Sequence, residues 1–192
     1  MANQGAEGLL SPFLRARRFA AARPFLYGVI LDVGCGTGEI SKFIAPANYW
    51  GVEQDKESLH LAHSYHPENH FSRVLPTIEY KFDTIIALAV IEHVKDPVDF
   101  LCNLKLRLKD DTTSRIVITT PHPYIEIIHT LGAKIGLFSA HGAEEHETLL
   151  GRSALVKYGN AANLQVVHFS RFLFFANQLC VYSHASVNNV TL

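Results

Sequence analysis

The stretch ILDVGCGTGEI, residues 30–40, constrains the fold of this chain more than any other. An apolar run is interrupted at Asp32, and three glycines follow at alternate positions, Gly34, Gly36 and Gly38. Glycine at this spacing lets the backbone turn sharply and lets a ligand lie directly on main-chain N–H groups. The stretch therefore predicts a strand, then a ligand-binding turn, and then a helix over residues 39–45.

Apolar runs and helical patterns alternate along the rest of the chain. Strands are predicted at 28–33, 49–53, 70–75, 82–88, 114–120, 166–169 and 179–184. Helices are predicted at 11–26, 39–45, 56–65 and 147–158, with one more that begins at Asp96-Pro97. The last two strands lie too close together for a crossover helix, so we expect them to pair antiparallel. The order predicts an α/β fold, namely a Rossmann-like, mostly parallel seven-stranded sheet with helices on both faces and an antiparallel last strand.

Length and charge limit the kinds of protein that this chain can be. Its 192 residues suit a single domain over 1–192, and its net charge of −1 offers no general attraction to nucleic acid. The three cysteines are widely spaced and form no CxxC pair, which favours free thiols in a reducing compartment. The N-terminus lacks the pattern of a signal peptide, and no apolar run approaches the length of a membrane span. We therefore expect a cytoplasmic protein without a membrane span.

Two residues, Glu39 and Glu53, limit the classes of ligand that the glycine turn can bind. A dinucleotide fingerprint needs a small residue at position 39, where this chain has Glu39, whose charge would lie beside the pyrophosphate. Glu53, at the end of the second predicted strand, can accept hydrogen bonds from both hydroxyls of a ribose. An adenosine-containing ligand without pyrophosphate, such as S-adenosylmethionine, fits both observations. A nicotinamide-dependent oxidoreductase is disfavoured by Glu39 but stays an alternative.

Four motifs together resemble the class I S-adenosylmethionine-dependent methyltransferases, the broad group that includes ubiquinone-biosynthesis-type enzymes. They are LDVGCGTG at 31–38, WGVEQD at 50–55, FDTIIALAVIEHVKDP at 82–97 and IVITTPHP at 116–123. The resemblance implies methyl transfer from S-adenosylmethionine to an oxygen, nitrogen or carbon of a small-molecule acceptor. A non-catalytic partner subunit that keeps the S-adenosylmethionine site is a second alternative.

The resemblance also implies which residues hold the cofactor. The glycine turn contacts its methionine and ribose portion, Asp32 orients the turn and the ammonium group, and Glu53 holds the ribose hydroxyls. The stretch after the third strand has no acid before Glu79, although many relatives place one there for the adenine amino group. The implied cofactor-binding residues are Asp32, Gly34, Cys35, Gly36, Thr37, Gly38, Glu53, Gln54, Leu75, Leu88 and Ala89.

Histidines supply the candidates for a general base, because their ordinary pKa lies near neutral pH. The candidates are His93, His122 and His146. The resemblance implies an acceptor pocket in the region 121–146. The arginines of the first helix, within 1–27, either form a solvated face or belong to a lid that presents them to the cofactor carboxylate or an anionic substrate. The histidine-rich stretch 60–70 carries no carboxylate or cysteine in register, so we expect no metal there. We expect no nucleic acid partner, and the oligomeric state stays open.

Overall fold

In the computed structural model, which describes residues 11–122 and 150–185, seven strands form a single sheet. They are β1 (Ile30–Val33), β2 (Tyr49–Val52), β3 (His70–Ser72), β4 (Thr84–Leu88), β5 (Arg115–Pro121), β6 (Leu164–Phe172) and β7 (Asn177–His184). Their order across the sheet is β3-β2-β1-β4-β5-β7-β6. The first five strands run parallel, and β7 is antiparallel to both of its neighbours. The predicted mostly parallel sheet with an antiparallel last strand is confirmed.

Four α-helices accompany the sheet in the described ranges, and two of them are capped by aspartates at their N-termini. They are α1 (Ser11–Ala22), α2 (Lys56–Tyr65), α3 (Pro97–Lys105) and α4 (Arg152–Ala161). The Asp55 side chain accepts a hydrogen bond from the Ser58 amide at the start of α2, and Asp96 caps α3 in the same way. No helix in the described ranges is long and apolar enough to cross a bilayer.

Apolar side chains pack on both faces of the sheet, so helices cover both faces as predicted. Successive residues of a strand point to opposite sides. On β1, Leu31 joins a buried cluster with Leu101 of α3 and Leu155 of α4. The preceding residue, Ile30, joins a second cluster with Ala22 of α1. The central strands are therefore buried on both sides, and ligands can reach them only at their ends.

The predicted helix over 39–45 is wrong, because only a 3-10 turn forms there, over Glu39–Phe43. Gly38 precedes this turn in the left-handed conformation, and Ile44 follows it in an extended conformation. Ala45 precedes a proline, which disfavours helical backbone at the position before it. Five residues between these two boundaries are too few for a stable α-helix.

The predicted boundaries of α4 are also wrong. The prediction took Gly159-Asn160 as the stop of a helix over 147–158, whereas α4 begins at Arg152 and runs through both residues to Ala161. Gly159 is buried because α4 packs closely on β7: a Cβ atom at Gly159 would lie 2.5 Å from the Tyr182 ring. The glycine therefore serves helix–sheet packing. Residues 147–149 lie outside the described residues.

Several other predicted bounds differ from the structure by a few residues. The first helix was expected to reach residue 26 but ends at Ala22, because Pro24 has no N–H for the helical hydrogen bond, and a 3-10 turn over Arg23–Phe25 follows. The third strand ends at Ser72, short of the predicted residue 75. The last two strands are longer than predicted, and β1 and β4 each start two residues later. Residues 1–10 and 123–146 of the predicted lid and acceptor regions lie outside the described residues.

Candidate functional site

The glycine turn lies at the carboxyl end of β1, between the ends of β2 and β4, where the chain order of the sheet reverses. Ligands of open α/β sheets bind at such a position. The Gly34 and Cys35 amides both donate to the Val52 carbonyl, at 2.8 and 3.1 Å. Gly34, Gly36 and Gly38 all have positive φ, of 74°, 55° and 78°. The alternate glycines therefore allow the left-handed conformations that this turn needs.

The space that a side chain would occupy differs among the three glycines, and this difference shows where a ligand can lie on the turn. A Cβ atom at Gly34 would lie 2.6 Å from a methyl group of Val90, and one at Gly38 would lie 2.7 Å from the Phe71 ring. A Cβ atom at Gly36 would meet nothing within 4 Å. A side chain at Gly34 or Gly38 would thus collide with the protein, whereas the side-chain direction at Gly36 points into open space at the centre of the turn. This open space fits a ligand that lies on the backbone there.

Glu53 follows β2 and joins the glycine turn to the end of that strand. Its carboxylate oxygens accept hydrogen bonds from the Gly36 and Asp55 amides, each at 2.9 Å. A carboxylate oxygen can accept more than one hydrogen bond, so both oxygens can still receive hydroxyl donors. The predicted ribose contact stays a prediction. Sequence reasoning missed that the Glu53 carboxylate also accepts a hydrogen bond from the Gly36 amide and so fixes the turn.

Asp32 lies beneath the turn and is only 2% exposed. The Tyr49 hydroxyl donates a hydrogen bond to its carboxylate at 2.8 Å. The pKa of Asp32 is raised from its ordinary value to about 7, mainly by burial; the hydrogen bond from Tyr49 opposes this effect, and the nearby charge of Glu53 adds to it. Asp32 therefore titrates near neutral pH and is tied to β2 through Tyr49.

Cys35 lies in the turn but does not have the environment of a reactive thiol. Its side chain is half-buried, and its sulfur lies 3.7 Å from the Gly36 carbonyl oxygen. Burial raises the pKa of the thiol well above its usual value, and the negative charges of Asp32 and Glu53 add to this effect. The thiol is therefore protonated at neutral pH, which argues against a nucleophilic role.

The other predicted cofactor residues surround the same end of the sheet. Gln54 has an exposed side chain, and its carbonyl accepts two hydrogen bonds from the Arg73 guanidinium, at 3.1 and 3.3 Å. Thr37 is half-buried within the glycine turn, and Leu75 is half-buried against the core after β3. Leu88 is the half-buried last residue of β4.

Ala89, directly after β4, has a positive φ of 60°. A non-glycine residue in this region is strained by roughly 1–2 kcal/mol, and such strain concentrates at functional sites. The Ala89 amide donates to the Thr119 carbonyl of β5 at 2.9 Å, which holds the strained residue in place. The chain therefore turns sharply at the end of β4, as expected where a ligand contacts the backbone.

The structure describes two of the three candidate histidines, His93 and His122, and places them apart. His93 is exposed at the end of a 3-10 turn over Ile91–His93 that follows β4. His122 is buried after β5, where its amide donates to the Ala176 carbonyl at 2.8 Å. Burial lowers the pKa of the His122 imidazole, and the charge of Arg171 lowers it further. His146 lies outside the described residues.

A row of buried polar side chains crosses the ends of three strands beside the turn, and sequence reasoning missed it. Glu92 follows β4 and is 5% exposed, Thr120 on β5 is 1% exposed, and Gln178 on β7 is 0% exposed. Thr120 hydrogen-bonds to Glu92 and is the register partner of Gln178. We call these three residues the edge polar row. The available signal was weak, because Glu92 follows a predicted strand but Gln178, next to Asn177, only precedes the apolar run of the last predicted strand.

Gln178 connects the edge polar row to Pro121, where the chain leaves the sheet after β5, and to Leu150, which precedes α4. Its side-chain Nε2 donates to the Leu150 carbonyl at 2.7 Å and to the Pro121 carbonyl at 3.3 Å. Because both partners are acceptors, the amide nitrogen must face them and the amide oxygen must face away. Gln178 thus fixes where the segment between Pro121 and Leu150 departs and returns.

Arg18 connects α1 to the edge polar row. Its Nε donates to the side-chain oxygen of Asn177 at 3.1 Å, and its charge acts on Glu92. Burial raises the pKa of Glu92, although the charges of His93 and Arg18 and the Thr120 hydrogen bond partly oppose this. Of the arginines of the first helix, Arg15 and Arg17 are exposed, whereas Arg18 is half-buried.

The described residues were expected to hold no metal ion in the histidine-rich stretch 60–70. Within 11–122 and 150–185, no group of three or more histidine, cysteine, aspartate or glutamate side chains could hold a metal ion. In the histidine-rich stretch, His66 is buried, and the His70 ring stacks edge-on against Trp50.

Comparisons with known proteins agree with the geometry. The chain matches a family model described as a methyltransferase domain over residues 6–169. It is 27% identical over 168 residues to a ubiquinone biosynthesis O-methyltransferase of Actinobacillus pleuropneumoniae serotype 7 (strain AP76), which covers 76% of this chain and 69% of that protein. A S-adenosylmethionine-dependent methyltransferase from Clostridium acetobutylicum ATCC 824 is similar in structure, with a TM-score of 0.65, 15% identity and 90% of each chain covered. The structure of the magnesium protoporphyrin IX methyltransferase of Synechocystis PCC 6803 with bound SAH is also similar. It has a TM-score of 0.61 and 16% sequence identity, with 91% of this chain and 83% of that chain covered.

Proposed function

This chain belongs to the methyltransferase-domain family and uses S-adenosylmethionine as its methyl donor, and from that premise we propose that it methylates a hydroxyl oxygen of a small molecule. The oxygen acceptor is supported by the curated relative, which is named as an O-methyltransferase. The observation that carries the site is the open space over Gly36, which the Glu53 carboxylate borders. Bound S-adenosylmethionine supplies an electrophilic methyl group on a sulfonium ion.

The residues at the carboxyl ends of the strands hold the cofactor in this proposal. The backbone from Gly34 to Gly38 takes the methionine and ribose portion, and Glu53 accepts the ribose hydroxyls. Gln54 and Leu75 contact the adenine. Leu88 and Ala89 supply backbone carbonyls for the ammonium group, while Asp32 supports the turn from below through its bond with Tyr49.

The remaining task of the protein is to place the acceptor oxygen in line with the methyl group and to exclude water. We assign the acceptor pocket to the region 121–146, because Pro121 and His122 leave the sheet beside the ends of β4 and β5. Gln178 anchors both ends of this part of the chain. Because the curated relative is named for ubiquinone biosynthesis, we propose that the acceptor carries its hydroxyl group on an aromatic ring.

Calorimetric titration tests the cofactor assignment and the two alternatives. S-adenosylmethionine and S-adenosylhomocysteine should bind with micromolar dissociation constants, about −8 kcal/mol, while NADH should give no heat. Transfer of a labelled methyl group to catechol or 3,4-dihydroxybenzoate tests the acceptor class. Binding of NADH without S-adenosylmethionine would identify an oxidoreductase. Binding without transfer to any acceptor, of any class, would support a non-catalytic subunit.

A further inference from the structure

We propose that Glu92 and Gln178 form the acceptor subsite and that Glu92 takes the proton of the hydroxyl group that is methylated. This inference rests on the proposed O-methylation, which it deepens by naming the base and the chemistry that the subsite recognises. None of the candidate histidines is needed for this role. The argument rests on the unsatisfied atoms of the edge polar row, on its place in the fold and on the charges around it.

Two oxygens of the edge polar row lack a partner. Among the described residues, neither Glu92 Oε2 nor Gln178 Oε1 has a hydrogen-bond partner, although both atoms are buried. A buried polar atom without a partner costs free energy, so such an atom in a native structure needs an explanation. A carboxylate oxygen and an amide oxygen can only accept hydrogen bonds. The ligand that satisfies them therefore carries O–H or N–H donors, as a hydroxylated acceptor does.

Both oxygens are held in place by other contacts. The two carbonyls that accept from Gln178 Nε2 fix the orientation of its amide, so Oε1 cannot exchange places with the nitrogen. Glu92 is held by the Thr120 side chain, the register neighbour of Gln178. A binding subsite needs this preorganisation, because a mobile side chain would lose conformational entropy when the ligand binds.

The position of Glu92 relates the subsite to the cofactor. Glu92 comes three residues after the strained Ala89 at the end of β4, and Val90, between them, contacts the glycine turn at Gly34. One short turn of chain therefore connects the proposed methionine contact to the proposed base. An acceptor held at Glu92 lies at the same sheet edge as the glycine turn.

The charges around Glu92 suit a proton acceptor. Among the described residues, Arg18 from α1 and His93 from its own turn are the charged or titratable groups that act on Glu92, and Thr120 faces it from β5. Burial outweighs these groups and raises the pKa of Glu92, which makes its carboxylate a stronger base than an exposed glutamate.

The proton balance requires such a base. When the acceptor oxygen bonds to the methyl carbon, the C–S bond breaks and its electron pair stays on sulfur. The electron pair of the O–H bond stays on the acceptor oxygen, and the proton passes to Glu92 Oε2. After product release Glu92 returns this proton to water, so that no oxidant, reductant or further reactant is needed.

The test compares Glu92→Gln, Glu92→Asp and a control, Glu57→Gln, at an exposed position of α2. Glu92→Gln keeps the shape of the side chain but cannot take a proton. We expect its turnover of catechol to fall at least 100-fold and to lose the rise with pH, while its affinity for S-adenosylmethionine by calorimetry stays within twofold. Glu92→Asp should keep the rise with pH at reduced turnover, and Glu57→Gln should match the wild type.

A second measurement does not depend on turnover. Because burial raises the pKa of Glu92, its ionisation opposes folding, so the wild type should lose unfolding free energy relative to Glu92→Gln as the pH rises above 4.5, the ordinary pKa of a glutamate. Equal pH dependence of stability in the two proteins, or an unchanged pH–rate profile in Glu92→Gln, would overturn the proposal. If the wild type methylates none of the catechol probes, the proposed aromatic-hydroxyl acceptor fails instead, and the stability curves still decide whether Glu92 is a buried unpaired acid.

Discussion

At the scale of single residues, the three glycines of the turn have distinct roles that the sequence cannot separate. All three have positive φ, but only at Gly36 would an added side chain enter open space. The sequence motif identifies the turn through the spacing of its glycines. Which glycine faces a ligand depends on Val90 and Phe71, which come from distant parts of the chain.

Gly36→Val should abolish S-adenosylmethionine binding while the protein stays folded. The new side chain occupies the space of the ligand, and its left-handed backbone costs roughly 1–2 kcal/mol of unfolding free energy. Calorimetry and thermal unfolding measure the two effects. Gly38→Val is the matched comparison, because its Cβ atom would collide with Phe71 and should destabilise the fold more strongly. Normal binding by Gly36→Val would mean that the cofactor does not lie on this turn.

Glu53→Ala should weaken S-adenosylmethionine binding at least tenfold. The loss has two sources, the hydrogen bonds of the carboxylate to a ribose, each worth roughly 1.5–3 kcal/mol, and its hold on the Gly36 amide. Amide hydrogen exchange separates them, because only the second source predicts faster exchange at Gly36 and Asp55 in the free protein. An unchanged dissociation constant would mean that Glu53 does not contact the cofactor and only accepts hydrogen bonds from the Gly36 and Asp55 amides.

Asp32→Asn should flatten the pH dependence of stability. Burial raises the pKa of Asp32 from 3.8 to about 7, so the folded protein binds its proton more tightly than the unfolded chain does. The stability that Asp32 contributes is therefore largest below about pH 4 and is lost as the pH rises to about 7, by roughly 4 kcal/mol at most. Chemical denaturation of both proteins between pH 4 and 8 measures the difference. Parallel curves would contradict the assignment of Asp32 as a buried acid.

At the scale of elements, the sequence predicts the strands better than the ends of the helices. The run 82–88 is apolar on both faces, as expected of a strand that packs on two layers, and it contains β4. The short turn over Glu39–Phe43 and the bounds of α4 depend on tertiary contacts that leave no local pattern. The edge polar row escapes prediction for the same reason, because its residues meet only when β4, β5 and β7 lie side by side.

Gly159→Ala should destabilise the protein, although alanine favours an isolated helix by roughly 1 kcal/mol. The new methyl group would lie 2.5 Å from the Tyr182 ring, and Tyr182 is fixed by its hydroxyl bond to the Leu155 carbonyl at 3.0 Å. Denaturant unfolding should give a lower midpoint for Gly159→Ala than for the wild type. Asn160→Ala, at the next and exposed position of α4, should not lower the midpoint. A more stable Gly159→Ala would show that the contact with β7 is loose.

At the scale of the whole molecule, cofactor binding should be visible in global stability. A ligand at 100 times its dissociation constant stabilises a folded protein by about 2.7 kcal/mol, which for a chain of this size raises the melting temperature by roughly 5–10 °C. S-adenosylmethionine and S-adenosylhomocysteine should both produce this shift in a thermal scan. NADH is the control and should leave the melting temperature unchanged.

The place of β7 in the sheet has a consequence for how the protein is made. β7 follows β6 in the chain but lies between β5 and β6, so β6 touches the rest of the sheet only through β7. A ribosome that has translated β5 and β6 holds a nascent chain in which the outer edge of β5 and the whole of β6 are unpaired and open to association with other chains. The sheet cannot close until the residues up to His184 have left the exit tunnel. Folding of this sheet therefore finishes only after these residues emerge, and a chaperone that binds exposed strands has its main opportunity before then.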